Sequence, residues 1–165
     1  MNATFEISAI VAVLATVMMI TRPSAVHALL YLTVSLLAAA LVFFVLGAPF
    51  AAALEVIIYA GAIMVLFVFV IMMLNIGEAA AALESAWLKP SAWIGPSALA
   101  LLLGIELGAL ALRGGLARPA AMVGAQAVGI ALAGPYMIAV EIASFLLLAA
   151  LVAAFHLGRA VMRED

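Results

Sequence analysis

The 165-residue sequence has no cysteine, one lysine (Lys89) and two histidines, His27 and His156. The missing cysteine excludes disulfides, thiolate metal sites and cysteine nucleophiles. The two histidines do not pair on one helix as haem ligands would, and no glycine loop is spaced to cradle phosphate. A proton pump core commonly alternates buried lysines with carboxylates that shift one another's pKa values. Here the one lysine falls in a connecting segment. The chain by itself therefore lacks a complete proton relay and carries no redox chemistry. Charge is scarce altogether, at 8% of residues and a net −2, which leaves no basic patch for nucleic acid. The N-terminal run also lacks the positive region of a cleaved secretory signal, since its first basic residue is Arg22. It is expected to be a retained first helix.

What is present is apolar: 71% of the residues are hydrophobic. No water-soluble fold of this size covers so much apolar surface with six basic and eight acidic side chains. Five windows, 5–21, 27–46, 53–75, 92–112 and 136–158, approach the roughly 20 residues that a helix needs to cross about 30 Å of hydrocarbon. Their hydrophobicity is continuous rather than alternating, which excludes barrel strands. The expected fold is a single all-α integral membrane domain, residues 1–165, with five transmembrane helices.

Breakers separate the windows. Thr21-Arg22-Pro23-Ser24 closes the first and Gly47-Ala48-Pro49 the second. Asn75-Ile76-Gly77 suits a C-cap for the third, and Gly134-Pro135 places proline in the first turn of the fifth. Pro90 and Pro96 suggest that regular helix in the fourth begins near Pro96. An external (periplasmic) N-terminus puts Arg22, Lys89, Arg159 and Arg163 inside and Arg113 and Arg118 outside, the bias expected of a membrane protein with a cytoplasmic C-terminus. No internal repeat or symmetric pair of broken helices marks a transporter.

A charge at the bilayer centre costs about 2.5–3.5 kcal/mol on insertion scales, so each ionisable group within a window needs a reason. Glu6 lies in a first helical turn and reads as an interfacial carboxylate. Glu106 shares a helix face with Arg113 and reads as shielded against a neighbouring helix; Glu141 is suited to a hydrogen bond across helices. His156 lies near an end and is expected to reach the interface. The composition assigns no role to Glu106 or Glu141.

The third window is the unusual one. Glu55 admits the interfacial reading given for Glu6. It also lies four residues before Tyr59, on the same face, as the lining of a small hydrated crevice would. Ala60-Gly61-Ala62 follows, and then Met64, Leu66, Phe67, Phe69, Met72 and Met73. Small residues let another helix approach closely, Gly61 weakens helical preference, and methionine repacks readily. The pattern serves either a tight helix contact or a movable gate.

The run LEVIIYAGAIMVLFVFVIMMLN (54–75) closely resembles the third helix of the subunit J family of NADH-quinone oxidoreductases, membrane-arm subunits of respiratory complex I related to mitochondrial chain 6. VHALLYL (26–32), LKPSAWIGP (88–96) and AVGIALAGPYMIAVEIASFLLLAALVAAFHLGR (127–159) extend the resemblance through most of the chain. It implies a multi-pass subunit of the bacterial cell inner membrane, part of a translocase that couples quinone reduction to proton transport. It implies subunits A, K, H and N as neighbours. NADH, FMN, iron–sulfur clusters and quinone would be bound by other chains. In that family the third helix can carry a π-bulge that opens or closes a water path. Tyr59, Gly61, Met64 and Phe67 match those positions, and Glu55 and Tyr59 are the candidates for a proton or hydration path beside them. The alternatives are a subunit of a related membrane-bound hydrogenase or cation-antiporter complex, and a purely structural adaptor. The tail lacks the longer polar extension of some family members.

Overall fold

The structure is a computed structural model that describes residues 3–74, 90–112 and 122–161. Among these residues all regular structure is helical. Five helices are long and apolar enough to cross a membrane: Ala3–Thr21, Ala25–Val45, Pro49–Ile71, Trp93–Leu112 and Met137–Gly158. Residues 75–89, with the expected Asn75-Ile76-Gly77 cap and Lys89, residues 113–121, with Arg113 and Arg118, and residues 162–165 lie outside the described residues. Backbone contacts divide the chain into two units, Met1–Val123 and Gly124–Asp165.

In the first unit, α1 (Ala3–Thr21) packs along α2 (Ala25–Val45). Lipid tails are as apolar as leucine, so burial alone does not drive two such helices together; close packing and interhelical hydrogen bonds do. Ala15 and Ala38 are 0% exposed and let the backbones approach, with Val11, Val34, Leu41, Leu103 and Leu110 around them. Thr16 Oγ1 and Ser35 Oγ are 2.8 Å apart, and each hydroxyl also reaches the Ala12 carbonyl, at 2.8 and 3.0 Å. This three-oxygen cluster ties α2 to the α1 backbone. Ser35→Ala is expected to weaken that tie by about 0.6 kcal/mol, the average measured for such bonds in a membrane bundle, where the largest reach about 1.7 kcal/mol. A lower thermal dissociation temperature of the subunit in detergent would report it.

α2 ends in a Schellman motif. Gly47 takes φ 87°, a left-handed conformation that suits glycine, and is the one positive-φ residue among those described. The Gly47 and Ala48 amides donate to the carbonyls of Phe44 (3.1 Å) and Phe43 (3.0 Å). The turn is so short that α3 (Pro49–Leu54) starts at once, with proline at its first position. The third span therefore begins at Pro49 rather than at 53: the residues read as a breaker both end one helix and open the next. α4 (Met64–Leu74) completes that span beyond a nine-residue segment described below.

α5 (Pro90–Leu112) runs straight through Pro96, against the expectation that regular helix starts there. The first four amides of a helix have no intrahelical acceptor in any case. Pro96 is the seventh residue, so its missing N–H removes one bond in the second turn, which the helix tolerates without ending. In the second unit, α6 (Ala125–Ala133) is a short helix that falls between the fourth and fifth apolar windows. Gly134-Pro135-Tyr136 forms a turn after it, with the Tyr136 amide on the Ala131 carbonyl at 3.1 Å. α7 (Met137–Val161) starts after Pro135, which thus lies outside the helix rather than in its first turn.

Candidate functional site

The third span changes its winding partway. After α3, residues Glu55–Ile63 form a π-helix, and α4 resumes from Met64. In a π-helix each amide reaches the carbonyl five residues back. The Met64 amide shows this directly, pointing to the Tyr59 carbonyl as well as to that of Gly61. π segments are rare and concentrate at functional sites, because the wider turn sacrifices the tight packing of an α-helix. Each wide turn also rotates everything downstream relative to an all-α span.

Gly61 lies within the segment, between Ala60 and Ala62. A Cβ added to Gly61 would stand 3.2 Å from the Val56 carbonyl oxygen, which lies five residues back and faces it across the wide turn. Glycine thus leaves that carbonyl unobstructed. The other site residues expected from the sequence fall on the same stretch but face differently. Glu55 is partly buried, Tyr59 is half exposed and Phe67 is 45% exposed, whereas Met64 is 3% exposed and turned into the unit. Glu55 and Tyr59 make no side-chain hydrogen bond to another described residue.

Beside the start of the π segment is a cavity of about 460 Å³ between α2, the third span and α5. Leu37, Phe44, Ala52, Val56, Leu103 and Gly104 are among its lining residues, all apolar. Such a lining gives water no partners. Neither Glu55 nor Tyr59 lines this cavity. Its consequence is mechanical: Val56, whose carbonyl faces Gly61, has open space on its side-chain side.

Four contacts are not marked in the sequence. Ser8 Oγ donates to Glu106 Oε2 at 2.8 Å, joining α1 to α5, with Ser8 0% and Glu106 8% exposed. Glu106 is thus shielded against a neighbouring helix as its position suggested, but its partner is a serine 98 positions away that nothing in the local pattern marks. Near the opposite end of α1, the Arg22 guanidinium lies 5.3 Å from the centre of the Tyr31 ring and donates to its hydroxyl at 3.5 Å. The Tyr31 hydroxyl in turn abuts Gly95 of α5 so closely that no Cβ fits there. The Glu141 carbonyl accepts a bond from Ser144 Oγ at 2.7 Å within α7. Among the described residues no group of three His, Asp or Glu is placed to hold a metal ion.

Comparison with known proteins bears on this arrangement. A family profile described as NADH-ubiquinone/plastoquinone oxidoreductase chain 6 matches residues 15–157. An NADH-quinone oxidoreductase subunit J from Pseudomonas aeruginosa is 60% identical over 161 residues, covering 96% of this chain and 97% of the relative. The protein of that name from Escherichia coli K12 is 54% identical over 160 residues, covering 96% and 87%. One from Buchnera aphidicola of Schizaphis graminum is 46% identical over 160 residues, covering 96% and 98%.

Proposed function

The chain belongs to the NADH-ubiquinone/plastoquinone oxidoreductase chain 6 family, and on that footing we propose that its third span is a hydration gate in the membrane arm of a proton-translocating NADH-quinone oxidoreductase. The observation that carries the reading is the π winding of Glu55–Ile63. Membership of the enzyme complex follows from the family; the gate is the further step.

A switch of this kind needs two windings separated by only a few kcal/mol, so that neighbours can decide between them. Three features support that balance. Gly61 removes the side chain that would press on the Val56 carbonyl. The apolar cavity gives Val56 space to move into. Met64, at the junction with α4, is a side chain that accepts more than one packing. Rewinding to α would turn Phe67 and the rest of α4 about the helix axis, opening or closing a path for water. Glu55 and Tyr59 are the polar groups on the segment itself. In this scheme they meet that water, Tyr59 as a partner and Glu55 as a tuner of local hydration.

The gate works within a larger assembly. Subunits A, K, H and N are the proposed neighbours, and they or the membrane would cover the exposed face of the third span. NADH, FMN, iron–sulfur clusters and quinone reside in other chains of the complex. The proposed location is the bacterial inner membrane, with the N-terminus outside and the C-terminus in the cytoplasm.

The test is the backbone of residues 49–74 in the intact complex, at rest and during NADH-driven turnover. The expected result is a π segment in one state and an α-helix in the other, with ordered water near Tyr59 in only one. The same winding and the same water in every state would end the gate reading and leave a scaffold.

A further inference from the structure

The gate makes no use of Glu106, the carboxyl most deeply buried among the described residues. Its recorded hydrogen bond is the 2.8 Å contact from Ser8 Oγ, and no lysine, arginine or histidine pairs with it among the described residues. A carboxylate fixed purely as a structural pin is commonly paired with a cation or with several donors, because a buried charge is expensive otherwise. A hydroxyl is a different kind of partner, since it both donates and accepts. When Glu106 is ionised, Ser8 donates to Oε2. When Glu106 is protonated, its own O–H can donate to Ser8 Oγ while the serine hydrogen turns aside. The contact therefore survives gain or loss of a proton. A cation partner could not offer this, because ammonium and guanidinium groups only donate.

Depth gives the second argument. Successive spans cross in alternate directions, so α1 starts, the third span starts and α5 ends at one membrane face. Ser8 lies five residues after Ala3, Glu55 six residues after Pro49, and Glu106 six residues before Leu112. At 1.5 Å per residue, Ser8 is about 7.5 Å and the two carboxyls about 9 Å from those helix ends. Glu106 thus lies at the depth of Glu55, within two turns of water on one side and far from it on the other. Of the core side chains in the seam between α1, α2 and α5, Val11, Ala15, Val34, Ala38 and Leu103 lie deeper than Glu106, and Leu41 and Leu110 lie between it and the near face. The near face is the shorter route for a proton, with two buried leucines to pass rather than five core side chains. Glu6, the other carboxylate toward that end of α1, is exposed.

We propose that Glu106, held by Ser8, is a proton-holding site of this subunit that exchanges its proton with water at the membrane face where α1 begins. The proton arrives from that water and returns to it, and Ser8 keeps its own hydrogen throughout. The proposal rests on the reading of the enzyme as proton-translocating, but not on any change of winding in the third span.

The experiment uses the intact complex with Glu106→Gln or Ser8→Ala. Infrared difference spectra are recorded between the resting and NADH-reduced states, and proton release is followed in proteoliposomes. Glutamine retains an oxygen that accepts from Ser8, so a mere pin survives the change. The expected result is a carboxyl carbonyl band in the wild-type difference spectrum that is lost in Glu106→Gln. Ser8→Ala keeps the carboxyl but removes its partner, and is expected to shift the same band. Spectra of wild type and Glu106→Gln that superimpose overturn the proposal. So does a band unmoved by Ser8→Ala, which serves as the deciding variant if the glutamine variant does not assemble. A wild-type complex that oxidises NADH without moving protons would instead overturn the reading under which the subunit serves a pump.

Discussion

Gly61→Val is expected to reduce NADH-driven proton pumping by about tenfold or more in a complex that still assembles. The Cβ would stand 3.2 Å from the Val56 carbonyl oxygen, tighter than side chains normally tolerate, and valine adds two further methyl groups. Overpacking of this kind costs typically about 1–3 kcal/mol. The conflict exists where Val56 and Gly61 face each other across a wide turn, so it biases one winding against the other. Since about 1.4 kcal/mol is a factor of ten, that bias is enough to trap the segment. Pumping and quinone-dependent turnover should fall together, while NADH oxidation by an artificial acceptor persists, because that chemistry uses none of this chain. Gly108→Ala is the control: a Cβ there meets nothing within 4 Å, and the residue does not line the cavity beside Val56. Normal pumping in an assembled Gly61→Val complex would count against the gate.

The second large effect is expected at Gly95. Any side chain there collides with the hydroxyl of Tyr31, and the ring Cζ would lie only 3.2 Å from the new Cβ. Tyr31 is 5% exposed and is held by Arg22, so its ring cannot simply swing away. Gly95→Ala should therefore push α2 and α5 apart at that end, at a cost of about 1–3 kcal/mol. Loss of the subunit from the purified complex on mild heating would report it. Tyr31→Phe combined with Gly95→Ala should recover part of the loss, because deleting the hydroxyl relieves the nearest clash. The coupling between the two sites is then the measured quantity. A double variant no better than Gly95→Ala alone would place the damage elsewhere.

Helix content and span number were legible because bilayer thickness fixes the length of apolar run required, and each of the five runs is long enough. Junctions were read less well. Pro49 and Pro96 both read as breakers, yet Pro49 sits at a first helical position, where an amide has no helical acceptor, and Pro96 removes one bond in the second turn of α5 without ending it. The polar side chains that join helices were not legible. Ser8 looks like any small residue in an apolar helix, and only the fold brings it to Glu106. The same holds for Gly95, whose space is needed by a tyrosine on another helix. In the third span, composition left a tight helix contact and a movable gate both open, and resemblance supplied the expectation of π winding that Glu55–Ile63 displays. The apolar cavity beside Val56 could not be foreseen, because an absence of atoms between three helices leaves no periodicity to read.

The Schellman turn at Gly47 has a directional consequence. The turn is closed by its own backbone bonds, and the Gly47 carbonyl also accepts the Val123 amide at 2.9 Å. The near end of the third span is therefore clamped before the first wide turn. A rod gripped at one end can shed torque only through the other. Any unwinding of Glu55–Ile63 must then appear as a crank-like turn of Met64–Leu74 about its own axis, delivered to whatever lies against that half.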